Sequence, residues 1–234
     1  MTDRWKRLIP PAAGVLFVAG FIVSLSLMSG SPGAGDSGAK VRAWFESHHD
    51  RAIATSVLMT YGAGLSVVYF TGFAAYLRRR GSQILAAVTA TGGILIAVGL
   101  LGAAGMLLTI TDHTSKLSDG TLQAINQIGS DAPFLAIIGG AALTTLSIGI
   151  ASLRTQALPK ALGIITVVVG VVQVAGPLTW FGFLGSGALT LVLAGYLYQL
   201  TGRPETITMP DVPAQRDAAA AAETPPRSRS RAKA

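Results

Sequence analysis

The sequence predicts an all-α protein, a polytopic transmembrane bundle of six spans with both termini in the cytoplasm and short amphipathic helices in its two outer loops. Three observations carry that expectation. Half of the 234 residues are apolar, only 12% are charged and the mean hydropathy is +0.54, so the chain has too few charges to coat a soluble domain. The apolar residues gather into six runs, at about 8–28, 52–77, 84–110, 133–153, 161–175 and 181–200, most of them near the ~20 residues that a helix needs to cross a bilayer. The basic residues cluster at alternate ends of those runs. Arg4, Lys6, Arg7, Arg78, Arg79, Arg80, Arg154 and Lys160 fall on one side, against Lys40, Arg42, Arg51 and Lys116 on the other. The richer side is expected to be cytoplasmic.

Composition also removes several functions. Cysteine is absent, which excludes disulfides, thiolate metal sites and cysteine nucleophiles. The net charge of +7 comes from span ends and the C-terminal segment rather than from a basic face, so no nucleic-acid partner is expected. No cofactor is implied. The expected partners are the lipid bilayer and either another membrane protein or a second copy of the chain.

The first run is longer than the ~7–15 apolar residues of a secretory signal, so it reads as a retained span. Pro10 and Pro11 are expected in its first turn, where their missing N–H groups cost nothing. Residues 29–37 (SGSPGAGDS) form a turn, and Ser37 is placed to cap a short helix. On that helix Val41, Trp44, Phe45 and His48 share one face, while Arg42, Glu46, His49 and Asp50 point towards water. It should lie at the outer interface with Trp44 at headgroup depth. The second span ends on YLRRR, and Gly81 makes a tight hairpin into the third. Gly92 and Gly99 share a face of that third helix, with Gly102 and Gly105 on an adjacent strip, a pattern that lets backbones approach closely in lipid.

Residues 111–130 read as a second outer loop with an amphipathic piece carrying Leu122 and Ile125, ended by Ser130 and Asp131 as caps before Pro133 at the start of the fourth span. The connector RTQALPK leads to the fifth span, Gly176 and Pro177 break the chain, and Trp180 marks an interface before the sixth. The six-helix domain thus covers residues 1–202. Residues 203–234 are rich in proline, alanine, serine and arginine and are expected to be a disordered basic cytoplasmic tail. The endings FAAYLRRRG and LAGYLYQLTGR of the second and sixth spans are faintly alike, as two helices leaving one face of a membrane would be.

Few residues suggest chemistry. No Asp, Glu, Lys, Arg or His lies in the hydrocarbon part of a span, which argues against an ion-coupled pump. The polar groups at depth are Tyr61, Thr89 and Gln173, with Gln173 read as an interhelical hydrogen bond in preference to a substrate contact. All three histidines fall on the predicted outer side. His48 or His49, with Asp50 and Arg51, could meet Asp112 and His113 across the hairpin, and imidazole with carboxylate suits a transition metal. Against this stands the plainer reading that His48 packs beneath Trp44 while Asp50, Arg51 and Asp112 form ion pairs and caps. No G-x-S-x-G, H-E-x-x-H or P-loop pattern is present, and no catalytic residue is assigned.

An outer helix ending in ESHHDR, a span closing on YLRRR and the later ALPKALG together resemble a large group of uncharacterised actinobacterial six-span membrane proteins. In that group the connector commonly carries a tryptophan where this chain has Ala161, and the tail is shorter. The resemblance, over about residues 9–200, implies the fold and a bacterial cytoplasmic-membrane location but no assigned activity. The function expected is binding of a lipid, an apolar ligand or a partner protein. The alternatives are a permease or channel-like transporter of a small, weakly charged solute, and a metal-binding protein or enzyme using the outer His/Asp cluster.

Overall fold

The computed structural model describes residues 3–201, with side chains from Leu8 to Leu200. Among them all regular structure is helical: α1 (Asp3–Leu27), α2 (Gly38–Ser47), α3 (His49–Arg79), α4 (Gln83–His113), α5 (Asp119–Thr155), α6 (Lys160–Val174), a 3-10 turn (Gly176–Leu178) and α7 (Thr179–Thr201). Five of these stretches are long and apolar enough to cross a membrane: Leu8–Leu27, His49–Arg79, Gln83–His113, Asp119–Thr155 and Gly176–Leu200. The 15-residue α6 is apolar but shorter, and at 1.5 Å per residue it rises ~22 Å against a hydrocarbon core of ~30 Å.

The long helices close a ring in chain order. α1 packs on α3, α3 on α4, α4 on α5, α5 on α6, α6 on α7, and α7 returns to α1. One end of the ring carries Arg78, Arg79, Arg80 and Arg154; the other is covered by α2, which lies against α3, α4 and α5. The core contains Tyr69, Phe73, Leu77, Leu100 and Ile148, and a smaller cluster of Val41, Phe45, Ala52, Ile110 and Leu122 sits beneath α2.

Glycine sets the closest approach. A Cβ on Gly92 would stand 2.7 Å from the Gly140 carbonyl oxygen, and one on Gly99 would stand 2.7 Å from the carbonyl oxygen of Pro133. The α4 and α5 backbones therefore meet as the predicted glycine face requires. Gly102 and Gly105 are exposed, and Gly105 has no neighbour within 4 Å of a built Cβ. The α3–α4 hairpin turns at Gly81, whose φ of 87° favours glycine.

Several expectations are corrected. The amphipathic piece and the fourth span form one 37-residue helix, α5, with Pro133 inside it. Its cap is Ser118, whose Oγ accepts from Thr121 N at 3.2 Å, while Ser130 bonds its hydroxyl to the Asn126 carbonyl and Asp131 lies mid-helix. A proline costs a helix one hydrogen bond and crowds the carbonyl four residues back. Here that residue is Gly129, and Gly99 leaves room beside Pro133. The helix survives because α2 covers its first turns, burying Leu122. Pro10 and Pro11 likewise lie inside α1 rather than in its first turn, since the helix begins at Asp3. Pro10 fits against Gly72 of α3, where a Cβ would come 2.4 Å from its ring. Ser37 occupies the cap position of α2 with an extended backbone but makes no side-chain cap bond. The tail at 203–234 lies outside the described residues.

Candidate functional site

The residues expected to converge at the α2 end make local contacts. The His48 ring stacks on Trp44, with centroids 4.7 Å apart and planes 10° from parallel, and its Nδ1 lies 2.8 Å from Ser47 Oγ and 3.1 Å from the Trp44 carbonyl. His49 Nδ1 lies 3.5 Å from Asp50 Oδ1, and both side chains are exposed. Arg51, Asp112 and His113 are exposed as well. Among the described residues no group of three His, Asp or Glu side chains is placed to hold a metal ion.

The organising contact at this end is made by Arg42, which sequence reasoning pointed at water. Its Nε and Nη2 donate to Asp119 Oδ1 at 3.0 and 2.9 Å, Nη2 donates to the Leu117 carbonyl at 2.5 Å, and Nη1 donates to the Thr114 carbonyl. One guanidinium thus fastens α2 to the corner between α4 and α5. Gly38 permits the contact, because a Cβ there would fall 1.8 Å from the Asp119 carbonyl oxygen. Nearby, Asp36 accepts from Lys40 Nζ and from Gly33 N, and these bonds hold its carboxyl below the usual carboxylate range.

The three polar groups at depth have different surroundings. Tyr61 is 70% exposed on α3. Thr89 is buried, its hydroxyl 2.8 Å from Ser147 Oγ of α5 and 2.8 Å from the Leu85 carbonyl. Gln173 is fully buried, and neither its Nε2 nor its Oε1 has a hydrogen-bond partner among the described residues, so the expected interhelical bond is not formed. The α7 backbone passes against it at Gly182, where a Cβ would stand 2.5 Å from Gln173 N.

What the ring does enclose is a cavity of about 330 Å³ between α1, α3, α4, α5 and α7. Phe17, Phe21, Phe70 and Phe183 supply its aromatic wall, and Phe21 meets Phe183 edge to face at 5.5 Å. Its hydroxyls belong to Thr144, Thr145, Ser186 and Thr190, and each donates to a carbonyl of its own helix at 2.7 to 2.8 Å. The lining holds no charged residue and its hydroxyl protons are already engaged. Exposed Ile22 and Leu25 on α1 and Leu184 and Leu191 on α7 also border it, so the cavity opens between those two helices. Tyr69 holds α7 from behind, donating to the Thr190 carbonyl at 3.3 Å. Sequence reasoning missed these residues because an apolar helix facing a cavity has the same composition as one facing lipid.

No protein-family model, curated protein or solved structure matches the chain.

Proposed function

We propose that this is a non-catalytic integral protein of the bacterial cytoplasmic membrane, with six spans and both termini inside, that holds an apolar molecule of the lipid acyl-chain class within its helix ring. The cavity walled by four phenylalanines, without a charge or an uncommitted hydroxyl proton, is the observation that carries this reading. In lipid there is little hydrophobic drive to favour a protein pocket over the bilayer, so selectivity comes from shape and dispersion contacts. A wall of aromatic rings supplies both. The likeness of ESHHDR, YLRRR and ALPKALG to six-span actinobacterial proteins supports the span count and the location. A permease would need a polar route, and Tyr61, Thr89 and Gln173 offer none of the lining of this cavity.

The test is native mass spectrometry of the full chain released from detergent micelles. Wild type retains one copurifying lipid or fatty acid. Ala141→Phe, which fills the cavity from α5, should lose it while keeping its elution volume. Equal retention by both proteins would defeat the proposal.

A further inference from the structure

A second cavity, of about 200 Å³, lies under α2, separate from the one above. Its walls contain Met28, just beyond α1, Met59 of α3 and Met106 of α4. The sequence has five methionines; Met1 and Met209 lie outside the described residues, and the other three all border this one space. Methionine commonly serves cores as a flexible filler that closes irregular gaps. Here three of them, from three parts of the chain, surround a gap that stays open. Each is half-buried, as a ligand reachable from outside would be.

We propose that this cavity is a binding site for a soft monovalent cation of the Cu(I) class, held by the thioether sulfurs of Met28, Met59 and Met106. Thioethers select Cu(I) over the hard and borderline divalent ions, which want oxygen or imidazole. All three thioether sulfurs are neutral and the lining holds no carboxylate, so the site suits a single positive charge better than a double one. Methionine is unbranched with three rotatable bonds, so the site asks of Met28, Met59 and Met106, which line one small space, only that their side chains turn inward. The carboxamide of Asn126 and the hydroxyls of Ser31 and Ser130 give the cavity its polar edge. Asn126 Nδ2 donates to the Gly33 carbonyl at 3.0 Å, which fixes the loop after α1 over it. The step is binding alone, with no change in oxidation state.

The experiment uses the full chain in detergent micelles, under anaerobic reductant, with Cu(I) delivered as its coloured bicinchoninate complex. Wild type should withdraw about one Cu(I) per chain and bleach the complex by that amount. The triple variant Met28→Leu, Met59→Leu, Met106→Leu, chosen because leucine replaces methionine in cores at little cost, should withdraw none. His48→Ala with His113→Ala should behave as wild type. The proposal is overturned if wild type leaves the complex unbleached, or if the triple methionine variant takes the same amount. X-ray absorption at the copper edge gives an independent reading: a sulfur shell is expected, and a shell of nitrogen or oxygen alone would overturn the assignment even if a variant fails to fold.

Discussion

Arg42 on α2 grips Asp119, the first residue of α5, through two guanidinium nitrogens at 3.0 and 2.9 Å, and the same side chain holds the carbonyls of Thr114 and Leu117. The carboxylate is half exposed, so the ion pair itself contributes little, ~0.2–1 kcal/mol. The carbonyl bonds, made by a more buried charged donor, contribute more, ~1.5–3 kcal/mol. Arg42→Ala should therefore free α2 from the bundle while Asp119→Ala loosens it only slightly. Hydrogen exchange of the α2 amides resolves this ranking: large loss of protection in the first variant, small loss in the second, and none in α3 or α4 of either. Arg42→Lys should recover little, because an ammonium cannot serve three acceptors in a fork.

Two glycines of α4 should respond to alanine with opposite signs. At Gly92 the new methyl meets the backbone of α5, which cannot rotate away, and the cost is ~1–3 kcal/mol of stability. At Gly105 nothing stands within 4 Å, so alanine only removes backbone entropy and stabilises by about 0.5 kcal/mol. Thermal unfolding in one detergent should show Gly92→Ala melting below wild type and Gly105→Ala at or above it. Equal shifts would show that α4 and α5 are not in backbone contact at Gly92.

That contrast also marks what the sequence could tell. Glycines seven apart on an apolar helix identify a packing face, and Gly92 and Gly99 occupy it. Leu122 and Ile125 showed the same kind of regularity, yet Ser130, Asp131 and Pro133 read as a helix start and are helix interior. Local cap and proline signals lost to burial beneath α2, a tertiary fact with no local trace. Arg42 was misread for the same reason, since the polar face of a short helix looks identical whether it meets water or a neighbouring corner. The cavity residues were illegible because Phe17, Phe21 and Phe183 sit in runs that are apolar throughout.

Gln173 is buried between α6 and α7 with both amide atoms unpaired among the described residues. A buried amide without partners costs ~1–3 kcal/mol relative to an apolar group of similar shape. Gln173→Met should accordingly raise the unfolding temperature, and Gln173→Glu should lower it sharply. A fall in stability for the methionine variant would mean that the amide is satisfied in the membrane-embedded protein.

Asp36 ties the loop before α2 to Lys40 and Gly33 N, and its carboxyl titrates below the ordinary value. A depressed folded-state value contributes order that is fully present above the unfolded value, near pH 4, and is lost as pH falls through the folded value. Protease protection of the 29–37 loop should stay constant from neutral pH down to about pH 4 and decline below it. In Asp36→Asn the protection should be lower and flat over the same range.

The absence of cysteine makes the topology directly testable, because a single introduced thiol is the only one to react. The decisive segment is α6, whose 15 residues fall short of a full crossing. Six spans put Ser115 and Leu178 on one side of the membrane and Lys160 on the other, with α6 reaching across by tilt or by local thinning of the bilayer. Ser115→Cys and Leu178→Cys should then react with an impermeant maleimide on intact cells, and Lys160→Cys only after permeabilisation. If Lys160→Cys and Leu178→Cys label together, α6 turns back within the membrane, α7 runs the other way, and the C-terminal segment emerges opposite the N-terminus. The charge bias favours the first outcome, since the second would carry the six basic residues after Thr201 to the side that is otherwise poor in them.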